Sequence, residues 1–350
     1  MAAVEDRTPI PVSEERRRGP RAALVIGSAV GWAAFVLVTV RYLVISVERK
    51  AEQQNFIHFD WHAYAAGATD LIDRSLYRQP LELGPIPLPL TVYNLPPLAA
   101  LEAALFLPVG ITPGGVAWQI LAAGSVAFAA VVLARLWHAG TSWRDAIVVG
   151  GVLLGAYMLI DHLVIPDPLS YWWGLVLGTN NYLVLGLIAA FALAHQRGWA
   201  RPAGILLGIA AATKLWPVTI GVLLLRERQW RVAGWAAGFV VLQGALAVLW
   251  LGPDVAPLAA RALLQQDESP VAVIGVAALR GIVDWWPSWA GWAVGAALLA
   301  VPATGRAGIG LGILAGLAVI TNLWGHYLPT VLFALGLITA HLVARRREAS

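Results

Sequence analysis

The feature that most constrains this chain is a succession of apolar blocks, each roughly 15 to 25 residues long, separated by short polar stretches. A block of that length, wound as a helix, crosses a hydrocarbon core about 30 Å thick. The blocks fall at 22–47, 93–108, 114–138, 143–162, 180–196, 202–213, 215–226, 232–251, 288–302, 307–322 and 326–344. The fold class they predict is all-α, a polytopic membrane protein with about 10–12 transmembrane helices. Composition agrees: 59% of the 350 residues are hydrophobic and 13% charged, against about 25% charged in soluble proteins. An ordinary soluble protein is excluded.

The net charge of +4 does not point to nucleic acid, because the arginines sit between apolar blocks and form no face or stripe. They read as topology signals. The first block follows Arg16-Arg17-Arg18 and is too long for a removable signal peptide, so it predicts a retained anchor. Basic residues favour the cytoplasmic side. That rule puts the N-terminus, Arg197/Arg201, Arg226/Arg228/Arg231, Arg306 and Arg345-Arg346-Arg347 inside, and the segments 48–92, 163–179 and 252–287 outside. One conflict stands between residues 93 and 138. Two full spans there would put Arg135 and Arg144 outside, so either one short block goes only part-way or 202–226 is a single kinked span. The expected organisation is a cytoplasmic leader over 1–21, one transmembrane domain over 22–344 and a short cytoplasmic tail over 345–350. With no cysteine in the chain, disulfides, thiolate metal sites and thiol nucleophiles are excluded.

Within the first outer loop, Trp61, Tyr64, Ala65, Ala68, Leu71, Ile72 and Leu76 recur at helical spacing, which predicts an amphipathic helix along the membrane surface. Asp60 stands just before it. Its carboxylate could cap the free N–H groups of the helix or act chemically. His58 and His62 flank it at i±2, a spacing that holds a metal only in extended chain, so no metal site is predicted. One of the two lysines, Lys214, lies in the apolar run GILLGIAAATKLWPVTIGVLLL beside the helix-breaking Pro217. It either snorkels to the interface or holds an anion such as a lipid phosphate. Arg280 and His326 are further candidate cationic groups at the outer boundary, and Tyr327 sits at an aromatic-belt position.

Taken in order, the motifs resemble a known family. Asp60 and Tyr64 precede SLYR; then come YNLPPL with Tyr93, GTNNYLVLGL with Gly178 and Asn181, and AAATKLWP with Lys214 and Pro217. Ser269 and Arg280 follow in the late outer loop, and LWGHY carries His326 and Tyr327. This order is similar to glycosyltransferase family 87, whose members have the GT-C fold. Two positions depart from the family pattern: Thr179 stands where the family has Gln after the glycine, and Asp267-Glu268-Ser269 where it has Asn-Gln-Ser.

The resemblance implies a hexosyltransferase of the cell membrane, acting in cell-envelope biosynthesis on the extracytoplasmic face. It would move mannose from a polyprenyl-phosphate donor to a lipid or glycan acceptor, with no cofactor and no nucleic-acid partner. It implies Asp60 as general base and Lys214, His326 and Arg280 at the donor phosphate. Tyr64, Tyr93, Asn181, Ser269 and Tyr327 would contact substrate. An arabinofuranosyl donor, a transporter or flippase for lipid-linked sugars, and a silent partner of another transferase are the alternatives.

Overall fold

The computed structural model describes residues 14–48, 59–78, 95–137, 141–163, 171–264, 288–319 and 327–349. Among them every regular element is helical and no strand occurs. In chain order the helices are α1 (Glu14–Glu48), α2 (Phe59–Ile72), α3 (Pro97–Ala104), α4 (Ile111–Trp137), α5 (Trp143–Leu163), α6 (Tyr171–Leu177) and α7 (Asn181–Gln196). After these come α8 (Ala200–Thr213), α9 (Val218–Arg226), α10 (Trp230–Leu251), α11 (Val255–Leu264), α12 (Ser288–Ala300), α13 (Gly305–Val319) and α14 (Leu328–Ala349). Five of them, in α1, α4, α5, α10 and α14, are long and apolar enough to cross a membrane. Shorter apolar helices fill in between. The chain is an all-α polytopic membrane protein.

Contacts at small residues give the direction of each helix. Trp118 on α4 bonds to Gly178 while Ser125 meets Gly186, so α4 and α7 run side by side in the same sense. Gly204 meets Val232 and Trp235, and Gly208 meets Ala236 and Phe239, so α8 and α10 are also parallel. Glu227 then lies against Gly308, Ile220 against Gly312 and Trp216 against Gly316, which sets α9 antiparallel to α13. α8, α9 and α10 are therefore three separate helices that alternate in direction. Gly310 against Ala334 and Ile338 turns α14 back along α13. Such approaches need small residues: a Cβ on Gly31 of α1 would lie 1.9 Å from the Gly151 carbonyl oxygen of α5.

These directions resolve the conflict over residues 93–138. The expected span at 93–108 is not one. Pro96 precedes an α3 of only eight residues, a 3-10 turn follows at Leu107–Val109, and Gly110 turns the chain into α4 with φ 92°. Its neighbour Thr213, which bonds to Glu102, ends α8, and α2 packs on it, so α3 stays at one end of the bundle. The chain accordingly enters α4 from that end. Arg135 and Arg144 then fall at the opposite end, with Arg197, Arg201, Arg226, Arg228, Arg231, Arg306 and Arg345 to Arg347.

A second expectation needs correcting. α2 forms where its periodicity placed it, but Trp61, Tyr64, Ala65 and Ala68 are buried against Ala103, Phe106 and Trp118. The stripe faces protein. Leu71 and Leu76 belong to a neighbouring cluster with Ala99 and Val255, while Ile72 is exposed.

Candidate active site

At the end where α3 stops, five short pieces of chain converge: the first turn of α2, Trp118 on α4, the turn Gly178-Thr179-Asn180-Asn181 entering α7, the Thr213-Lys214 end of α8, and Tyr327 before α14. Local chemistry makes the two turns. Gly178 has φ +74°, and a Cβ there would come 2.9 Å from Trp61 Cβ, so both backbone and space ask for glycine. The indole N–H of Trp118 donates to its carbonyl at 2.9 Å. At the other turn Lys214 is extended (φ −143°, ψ 143°), and α9 begins after Pro217. The break leaves Lys214 at the mouth of the site rather than inside a helix.

Asp60 is half-buried in the first turn of α2, at its second residue and two positions past the cap. Hydroxyls from Thr179 and Tyr64 bond to its carboxylate, and Lys214 acts on it through its charge. Burial outweighs these and raises its pKa to about 6. Tyr64 is buried; burial first, and then the Asp60 charge, push its hydroxyl well above the ordinary tyrosine range. That oxygen accepts from the Asn180 backbone N–H at 3.3 Å and lies 3.2 Å from Asn180 Oδ1, while Asn180 Nδ2 has no partner. Turning the Asn180 amide over lets Nδ2 donate to Tyr64 and frees the one Tyr64 proton for Asp60. That arrangement gives Nδ2 and the Asp60 carboxylate their partners.

Lys214 is half-buried and donates to Asn181 Oδ1 and to the Tyr327 hydroxyl, the latter at 3.2 Å; its ammonium also lies 5.3 Å from the Tyr327 ring centre. Both bonded partners are neutral. Among the described residues Lys214 makes no contact ion pair, so its charge is left for a further anion. The geometry brings Asp60, Tyr64, Asn181, Lys214 and Tyr327 together. Tyr93, Ser269, Arg280 and His326, and His58 beside Asp60, lie outside the described residues. No group of three or more metal-ligating side chains occurs among the described residues.

With this arrangement in view, the comparisons with known proteins are informative. The family model for glycosyltransferase family 87 matches residues 95–264, from the start of α3 to the end of α11. That match supports the assignment of the chain to glycosyltransferase family 87. The chain is a membrane glycosyltransferase, and the matched stretch contains Asn181 and Lys214, whereas Asp60 and Tyr327 lie beyond its two ends. No curated protein and no solved structure matches it.

Four residues of this family 87 site were not singled out by sequence as site residues: Thr179, Asn180, Trp118 and Glu102. Thr179 was visible only as a departure from the family pattern, yet its hydroxyl reaches Asp60. Glu102 on α3 accepts from Thr213 Oγ1 at 2.6 Å, immediately before Lys214, and its other oxygen is buried without a partner. The apolar setting of PLAALEAALF hid it as a chance charge in a span.

Proposed function

We propose that this enzyme transfers a sugar, mannose by family resemblance, from a polyprenyl-phosphate donor to a lipid or glycan hydroxyl on the extracytoplasmic face, with inversion. The observation that carries the reading is the pairing of a half-buried carboxylate, Asp60, with a cation, Lys214, whose hydrogen bonds go only to neutral groups. Transfer from a lipid phosphate asks for both. The acceptor O–H gives its proton to Asp60, its oxygen forms the bond to the anomeric carbon, and the bond from that carbon to phosphate oxygen breaks. The electron pair leaves with the polyprenyl phosphate, and Lys214 balances the charge growing there. One displacement of this kind turns a β-linked donor into an α-linked product.

Tyr64 and Thr179 hold the Asp60 carboxylate in position, and Asn181 and Tyr327 hold the ammonium. Arg280 and His326 are assigned to the phosphate as well, Tyr93 and Ser269 to substrate contacts, all by resemblance. The polyprenyl phosphate is itself a good leaving group, so the mechanism asks for no general acid and no cofactor. The test is glycosyl transfer by the purified protein in detergent, with polyprenyl-phosphate mannose and polyprenyl-phosphate arabinofuranose compared side by side. Product from the first donor and not the second supports the reading. Transfer from neither, by protein shown to be folded, would overturn it.

A further inference from the structure

α7 is 16 residues long, so its far end lies about 24 Å from Asn181 and the site just described. At that end a cavity of about 390 Å³ opens between α4, α7, α13 and α14. Its lining is divided: Arg306, His341, His195 and Gln196 supply polar groups, and Leu136, Ile309 and Leu337 supply an apolar wall. Arg306 is half-buried in the first turn of α13, where unpaired backbone N–H groups add the positive end of a helix dipole. Among the described residues it has neither an ion pair nor a hydrogen bond. His341, also half-buried, has none either. Glu227, the acid at this end of α9, lies against Gly308, two residues on and so roughly opposite Arg306 around the helix. No carboxylate lines the cavity.

A half-buried, unpartnered guanidinium beside two imidazoles calls for an anion. The apolar wall narrows the choice. A small soluble anion would leave that wall uncovered, whereas an amphiphile with a phosphate at one end covers both halves of the lining. The position suits a lipid too, since this end carries most of the described arginines, the setting in which basic pockets between membrane helices meet headgroups. A second cavity, of about 520 Å³, lies on the other side of His195 and carries Arg228, Arg231 and Trp230. His195 bonds to Gln229 at 2.8 Å in the strip of chain between the two. The end is therefore cationic on both sides of α7.

We propose that the cavity between α4, α7, α13 and α14 binds an anionic phospholipid, Arg306 and His341 taking its phosphodiester and the acyl chain lying on Leu136, Ile309 and Leu337. It is a site separate from the transferase centre and does not depend on the reaction assigned there.

The experiment uses the full chain, purified in detergent and titrated with phosphatidylglycerol, phosphatidylcholine or sodium phosphate. Bound lipid is counted by native mass spectrometry, and thermal stability is followed in parallel. Phosphatidylglycerol should bind saturably and raise the Tm, and the other two should not. Arg306→Gln should weaken that binding about tenfold or more, the worth of one charge-assisted contact, while Arg306→Lys keeps most of it. Equal retention of the two lipids by the wild type, or unchanged phosphatidylglycerol binding in Arg306→Gln, would overturn the site. A Tm rise with sodium phosphate equal to that with phosphatidylglycerol, abolished in Arg306→Gln, would overturn the lipid in favour of a soluble anion. Should Arg306→Gln fail to fold, His341→Gln and the wild-type lipid comparison decide in the same way.

Discussion

At Asp60 the stability and the chemistry of one carboxyl make opposite demands. Its pKa is raised from 3.8 to about 6, so the fold favours the neutral form. The stabilising contribution is complete below the ordinary aspartate range and is lost as pH rises through about 6. With the carboxyl only half-buried, ionising it costs about 1–3 kcal/mol. Asp60→Asn keeps the shape and removes that cost, so at pH 8 the variant should melt no lower than wild type. Transfer should nevertheless fall about 10²–10⁴-fold, the usual worth of a general base. Wild-type transfer should also rise with pH through about 6, as the carboxylate forms. Near-normal turnover by Asp60→Asn, measured with donor binding checked separately, would end the base assignment. Lys214 gives a second prediction: Lys214→Met keeps the apolar stem and loses the charge, so transfer should drop at least tenfold, with Lys214→Arg falling less. Full activity in the Met variant would mean that the ammonium merely snorkels. These two residues were legible because a carboxylate at a helix start and a lysine in an apolar run are chemically out of place. Thr179 and Asn180 were not, since nothing in a polar turn says which way its hydroxyl or amide faces.

Between elements, the backbone beside Lys214 is tied to α3 by the hydrogen bond from Thr213 to Glu102. It ties the part-depth α3 to the end of α8 at the residue before the lysine. Glu102→Gln still offers Thr213 an acceptor, so stability and transfer should stay close to wild type. Glu102→Ala removes this bond and leaves the Thr213 hydroxyl the Ile209 carbonyl at 3.0 Å, so the loss should be that of one hydrogen bond, about 0.5–1.5 kcal/mol, with transfer lowered together with it. If the Ala variant melts and turns over like wild type, α3 does not hold the lysine. The ends of α4, α5 and α10 were readable to within a few residues, because apolar length and the breaks at Gly and Pro act locally, whereas α1 and α14 run on past their apolar blocks to Glu14 and Ala349. The depth of α3 was not. An apolar run that stops half-way and one that crosses look alike until Glu102 is seen to meet the end of α8 and Ala103 the buried face of α2. The stripe on α2 had the same ambiguity, because burial under protein and burial in lipid select the same side chains.

Over the whole molecule, the helix directions put the Asp60 and Lys214 cluster at one end, with Arg74 and Arg78, and most of the arginines at the other, the bias that the positive-inside rule turns into sidedness. Arg144 decides most, because a full crossing by α3 would move it to the site end, whereas a part-depth α3 keeps it with Arg197 and Arg228. The cysteine-free chain allows a clean measurement: single cysteines replace exposed Asp73 at the end of α2, Arg144 at the start of α5 and Glu348 near the end of α14. In whole cells an impermeant thiol reagent should label Asp73→Cys and neither of the others, and all three should react once the membrane is opened. Labelling of Asp73→Cys and Arg144→Cys together would mean that α3 crosses after all, and that the joint between Glu102 and Thr213 is misplaced. Labelling of Arg144→Cys and Glu348→Cys without Asp73→Cys would invert the molecule. The sugar donor would then have to meet Lys214 from the cytoplasmic leaflet, and the lipid inferred for the cavity beside Arg306 would belong to the opposite one.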